Sequence, residues 1–412
     1  MNLEVFSSNS LLISFFLYLI SFFGFVWSIV GKGSLTKAAN HTERWNRIGF
    51  GFGLAAWLAH VTFFLTRWAA AGHIPTSNMF EFMTFLAMMI GFTMLAFYLY
   101  SRNAILGAFS TPLAAIIIAF ASVFPRDVEP LIPALQSYWL KIHVTTAAFG
   151  ESFFAIGFAA GLMYLLRTTD YSAKDARSAR AKRWLEVVLS VVMSIIVFCV
   201  LVFSFKATGV TYIFQNADAS KEAVYVLPPL VGPNPSELTL SEASPNSWNG
   251  VHVPLVQAPS FMKGKDAARK FNTVIWTTVI TALVYGLLRL TVARRGLGAV
   301  LSRMTTGLDP EDLDELSYRT IAIGYPIFAL GGLLFAMIWA KEAWGRFWDN
   351  DPKEVWAAIV FLFYTAYLHL RLSRGWLGAK SAWLTVIGFL IVMFTLVGVN
   401  LVISGLHSYA GV

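Results

Sequence analysis

Residues 320–341, TIAIGYPIFALGGLLFAMIWAK, carry no charge before the closing Lys341, and they run into EAWGRFWDNDPKEVW at 342–356. A helix needs about 20 predominantly apolar residues to cross a hydrocarbon core. Such runs recur along the chain at 11–31, 48–68, 80–100, 104–123, 142–166, 184–206, 272–292, 320–341, 354–371 and 382–404. Hydrocarbon offers no water to satisfy exposed amides, so each run is expected to be a helix. The fold class that follows is all-α, a polytopic transmembrane bundle of about ten spans.

The composition agrees. Of the 412 residues 57% are hydrophobic and only 13% charged, with a mean hydropathy of +0.63. A soluble chain of this length needs more charge to cover its surface. The net charge of +8 sits in short loops between apolar runs, which marks topology rather than a nucleic-acid surface. The single cysteine, Cys199, lies inside an apolar run, so no internal disulfide framework is expected. With no Cys-x-x-Cys-His, the chain is not itself a c-type cytochrome. Residues 11–31 lack the basic flank and cleavage site of a signal peptide and are expected to be a retained span.

Lys32, Lys37, Arg44 and Arg47 follow the first run, Arg167 to Arg183 the fifth, and Arg371, Arg374 and Lys380 the ninth. Counting spans puts all three clusters on one face, the cytoplasmic one, and leaves both termini external. Residues 69–79, 124–141 and 341–353 then fall outside, as does the long polar loop 207–271. Four segments are expected: 1–141, the first spans; 142–168, a span opening on an external histidine; 169–310, two further spans with the long loop; and 311–412, the tryptophan-rich core.

Trp339, Trp344, Trp348 and Trp356 crowd one external segment. Grouped indoles offer a platform for a large planar ligand; an ordinary aromatic belt at the bilayer interface explains them equally well by composition. Asp351-Pro352-Lys353-Glu354 reads as a helix start, with Asp as N-cap and Pro at the first helical position. Of seven histidines, His143 opens the fifth run and His407 follows the tenth, both on the outer side. His369 lies in the ninth run near its cytoplasmic end, where an ionisable residue is a functional candidate. A lone histidine is ordinarily just a hydrogen-bonded or interfacial residue; three around one aromatic segment favour iron ligation, for which neutral imidazole is suited.

The segment from Leu313 to Tyr409 resembles the CcsA (ResC) family, within the wider group of haem-handling proteins with a tryptophan-rich "WWD" domain. The carrying residues are Leu316-Ser-Tyr-Arg319, Ile338-Trp-Ala-Lys-Glu-Ala-Trp-Gly345, Asp351-Pro-Lys-Glu-Val-Trp356, Tyr367-Leu-His-Leu-Arg371, Gly398-Val-Asn400 and Gly405-Leu-His-Ser-Tyr409. Upstream, Arg67-Trp68, Gly72 to Asn78 with Glu81, and Trp139 to His143 resemble the family's external segments. The resemblance implies haem b as cofactor, with His143 and His407 as external axial ligands against the Trp339–Trp356 loop. It implies His369 as an intramembrane ligand whose counterpart comes from a separate CcsB/ResB-type partner. The implied activity is that of a cytochrome c synthase subunit, joining haem vinyl groups to the thiols of a Cys-x-x-Cys-His apocytochrome c. The implied setting is the bacterial cytoplasmic membrane, or a thylakoid membrane, with the haem site outside.

Two departures stand out. Asn350 occupies a position where the family usually has tryptophan, which thins the stacking surface. Residues 170–300 add two spans and a polar loop to the usual core. His73 is a further candidate for the pocket; His60 is expected to be buried, His252 to be a surface residue, and His41 has no assigned role. The alternatives are a haem carrier of the CcmC type and, further off, a transporter of another substrate.

Overall fold

The computed structural model of the chain describes residues 3–30, 38–101, 104–128, 131, 133–215, 222–233, 239–240, 254–258 and 267–399. His252 and His407 lie outside them. Among the described residues ten helices are long and apolar enough to cross a membrane, one for each expected run, and the protein is an all-α integral membrane protein. The described residues form two compact units, one within 3–185 and 298–399, the other within 186–297.

In the first unit, α1 (Leu3–Val30) and α2 (Ala38–Ala71) form a close pair. Serines 14, 21 and 28 of α1 recur every seven residues and donate to the Ala56, Gly49 and Thr42 carbonyls of α2, at 2.9, 2.7 and 3.1 Å. Gly24 faces Gly49 so closely that a Cβ on Gly24 would stand 3.0 Å from the opposite Cα. Small residues and interhelical hydrogen bonds are how helices associate in lipid, where apolar burial supplies little preference. The first helix begins at Leu3 rather than residue 11, because Ser7 and Ser10 return their hydroxyls to the Glu4 and Phe6 carbonyls and remain in helix.

The centre is α5 (Tyr138–Thr168), packed against α3 (Met79–Ser101), α4 (Ala104–Ala121), α9 (Pro310–Phe328) and α12 (Ala379–Met393). Its Gly150 lets α9 approach until a Cβ would lie 2.6 Å from the Phe328 nitrogen, and its Gly161 seats Ala382 of α12 in the same way at 3.2 Å. Beyond Pro326 the eighth span widens into a π-helix, Ala329–Phe335, before resuming as α10 (Ala336–Trp344). α11 (Pro352–Arg374) and α12 complete the unit, and α12 also passes into a π turn, Phe394–Gly398.

Where α11 ends, Arg371 makes a two-pronged ion pair with Asp314 of α9, both contacts at 2.9 Å, and donates to Ser381 of α12 at 2.8 Å. The pair is nearly enclosed and ties three helices together. Part of the Tyr367–Arg371 pattern is therefore scaffold.

The second unit holds most of α6 (Ala176–Thr208) and all of α7 (Ala267–Leu290). Between them the long loop contains two small sheets, unexpected from sequence: β2 (Glu222–Tyr225), β1 (Tyr212–Gln215) and β4 (Thr239–Leu240) antiparallel, and β3 (Val231–Gly232) parallel to β5 (Val256–Gln257). Asn272 of α7 anchors this segment, accepting from the Leu230 and Val231 amides and donating to the Pro228 carbonyl.

Candidate functional site

A cavity of about 180 Å3 opens at the end of the first unit where α3, α5 and α11 begin and α10 stops. His143, Trp339, Trp344 and Trp348 line it together, with Phe347, Lys353 and Glu151. Both π segments border it, through Gly332 and Leu333 of the first and Thr395 and Leu396 of the second. π turns free backbone groups from the helical ladder and recur at functional sites.

The first π segment sets the histidine. Its Gly331 carbonyl accepts a hydrogen bond from His143 Nδ1 at 2.9 Å. A Cβ on Gly331 would run into the Ala147 backbone of α5, so only glycine brings this carbonyl so near. A carbonyl can only accept, which places the ring hydrogen on Nδ1 and the lone pair of the neutral imidazole on Nε2. The ring lies parallel to the Trp339 indole, 11° between planes and 5.7 Å between centroids. Trp339 is itself fixed: it is 2% exposed, its Nε1 donates to the Ala134 carbonyl at 2.9 Å, and Trp344 meets it edge-on at 4.8 Å.

After Trp344 the chain leaves the helix at Gly345, whose φ of 76° is left-handed, as helix ends favour. A short turn then carries Trp348, 36% exposed, to the cavity mouth. Asn350 has a φ of 56°, a left-handed value that asparagine tolerates better than most residues, and its Oδ1 takes the Trp348 indole N–H at 2.8 Å. The residue that departs from the family pattern thus holds a neighbouring tryptophan. Asp351 caps α11 as its sequence implies, accepting from the Lys353 amide at 3.0 Å, while Glu354 returns to the Asp351 amide at 3.3 Å. Opposite, a buried Arg67–Glu81 pair at 2.8 Å braces the 72–81 segment, with Glu81 also accepting from the Ser77 amide and hydroxyl.

The other candidates are placed elsewhere. Trp356 packs on Phe394 at 4.5 Å and is not among the cavity's lining residues. His73 is not among them either; its Nδ1 faces the Ile74 carbonyl at 3.1 Å. His369 points outward from α11, exposed, between the buried Tyr367 and Arg371. His60 is fully buried, edge-on to Tyr18. His407 lies outside the described residues.

Sequence reasoning passed over two residues of the site. Glu151 is 5% exposed on the cavity floor, with one carboxylate oxygen that no group satisfies among the described residues. It stands eight residues beyond His143 on α5, and so on the same helical face, a signal that was available. Lys353 was absorbed into the helix-start motif, although its side chain reaches the cavity.

A family model described as cytochrome C assembly protein matches residues 76–217 and 273–407. The cytochrome c biogenesis protein CcsA of Trichormus variabilis is 30% identical over 356 residues, 85% of each chain. That of Microcystis aeruginosa is 31% identical over 347 residues, 83% of this chain and 81% of its own. That of the alga Pyropia yezoensis is 28% identical across 99% of both. Every described lining residue of the cavity falls inside the matched ranges. The chain belongs to the cytochrome c assembly protein family and, within it, to the CcsA family.

Proposed function

We propose that this protein serves cytochrome c biogenesis by binding haem b in the His143 cavity and presenting it on the external face. There the haem would be joined to a Cys-x-x-Cys-His apocytochrome c, in company with a CcsB/ResB-type membrane partner. A role in cytochrome c biogenesis follows from the family; the haem site is our reading. The observation that carries it is the His143 Nδ1–Gly331 carbonyl hydrogen bond, which orients Nε2 as a ligand in the manner of metal-binding histidines.

The donor set fits haem. His143, with its tautomer fixed, would supply a nitrogen ligand to the iron. Trp339, Trp344 and Trp348 supply flat apolar surface around it. The cavity is small beside the roughly 300–1,000 Å3 of ordinary ligand pockets, so a tetrapyrrole would be held at its iron and stand partly outside. That suits a group destined for transfer. In the transfer each acceptor thiol adds across a vinyl group, sulfur bonding to one carbon and the thiol hydrogen passing to the other. His407 is the proposed second external ligand.

His369 is proposed as an intramembrane ligand. Its outward, exposed position on α11 supports a site completed by another chain, since this unit places nothing over it among the described residues. Co-expression with a CcsB/ResB-type partner and an apocytochrome c, scoring covalent haem on the acceptor, tests the whole reading. Covalent haem that requires this chain supports a synthase; haem bound to this chain but never attached to the acceptor would point to a carrier.

A further inference from the structure

Lys353 is the one lysine or arginine among the cavity's described lining residues. Its ammonium donates no hydrogen bond and joins no ion pair to a described residue. Of the carboxylates around it, Asp351 acts on it through its charge, without a hydrogen bond to the ammonium. Asp351 accepts from the Lys353 amide, Glu354 holds the amides of Asp349 and Asp351, and Glu151 lies on the floor of the cavity with no bridge to Lys353. The Asp351 carboxylate acts on this ammonium but is also committed to capping α11, so a second anion meeting Lys353 in this partly desolvated wall is favoured.

The surroundings share its sign. α3, α5 and α11 all begin at this end of the bundle, capped by Asn78, Ser137 and Asp351 respectively, and their positive dipole ends add to the field of Lys353. The same cavity is lined by His143, which would supply the iron ligand, and by Trp339, which offers a flat face. A planar macrocycle carrying acidic side chains presents a ring to these and an anion to Lys353.

Resting on the haem reading, we propose that Lys353 binds the carboxylate side chains of the tetrapyrrole and so fixes its rotation about the iron–His143 axis. Haem b carries its two propionates on adjacent pyrroles, with the vinyl groups on the others. Holding the propionates at Lys353 would leave the vinyl groups on the side of the ring away from Lys353. Lys353 is a positioning residue here: it touches the ligand but not the reacting carbons.

The test uses detergent-purified full-length protein freed of haem and titrated with haem b and with its dimethyl ester, in which both carboxylates are masked. Wild type should bind haem b about tenfold or more tightly than the ester, the worth of a charge-assisted hydrogen bond. Lys353→Gln should lose that preference by weakening for haem b alone, and Lys353→Arg should keep it. Equal wild-type affinity for acid and ester overturns the proposal without any variant, as does a Lys353→Gln protein that still discriminates. Failure of wild type to bind either ligand would remove the haem reading itself, and this proposal with it.

Discussion

The His143 imidazole and the Trp339 indole lie parallel, 11° apart in plane, on two helices whose contributing residues are nearly two hundred positions apart in sequence. The Gly331 carbonyl, exposed by the π turn preceding Trp339, takes the Nδ1 hydrogen. Ring plane and tautomer are therefore set by the same short stretch of the eighth span.

That arrangement makes Gly331 as important as the histidine. Replacing Gly331 by Val would force α5 and the π segment apart and move the carbonyl from Nδ1. We expect a loss of roughly 1–3 kcal/mol in stability from overpacking, together with a fall in bound haem. Thermal denaturation in detergent with parallel haem quantitation checks both. Full haem content in a destabilised variant would separate the carbonyl from ligand binding.

The Arg371–Asp314 pair is structural, and its variants should behave so. Arg371→Met leaves the nearly enclosed Asp314 without its partner, a loss approaching the about 3–5 kcal/mol of fully buried pairs. Arg371→Met with Asp314→Leu should recover much of that loss. A double variant no better than the single would show that Arg371 has work beyond Asp314.

Asn350 offers a sharper contrast. At a φ of 56°, Asn350→Gly removes only the hydrogen bond to Trp348, whereas Asn350→Val also places a β-branched residue in left-handed backbone. Asn350→Val should cost about 1–2 kcal/mol more than Asn350→Gly. Equal stability of the two in a melting series would mean the turn relaxes freely.

Topology is open to direct labelling. With Cys199 replaced by Ala, cysteines introduced at Trp348 and at Lys174 should react with a membrane-impermeant maleimide from opposite sides, Trp348 from outside. Labelling of both from one side would reverse or break the assigned order of spans.

His369 is expected to act before haem reaches the external site. His369→Ala should lower haem at the His143 cavity while leaving the melting temperature within about 1 °C, since the side chain is exposed and surface changes are near neutral. Undiminished loading in cells would take His369 out of the route.

All ten spans were legible because length and apolarity are what a bilayer demands, and the Asp351 cap because its motif is local. The groove between the spans was not. The π turn at Ala329–Phe335 rests on a backbone carbonyl and two glycines, and in sequence those glycines read as ordinary small residues of a membrane helix. Asn350 looked like a lost tryptophan because side-chain pattern does not report φ. Residues 207–271 read as a bare loop because their strands are only two to four residues long, shorter than any periodic signal.

The most direct measurement is the haem content and optical spectrum of purified His143→Gly beside wild type, with and without imidazole. A small ligand diffusing into the space left by the side chain can replace the imidazole that Gly331 holds in place. Wild type should show six-coordinate bis-nitrogen haem, the variant should lose most of it, and imidazole should restore part of the spectrum. A variant that keeps wild-type haem and spectrum without imidazole would contradict the assignment of His143 as a ligand, and with it the site.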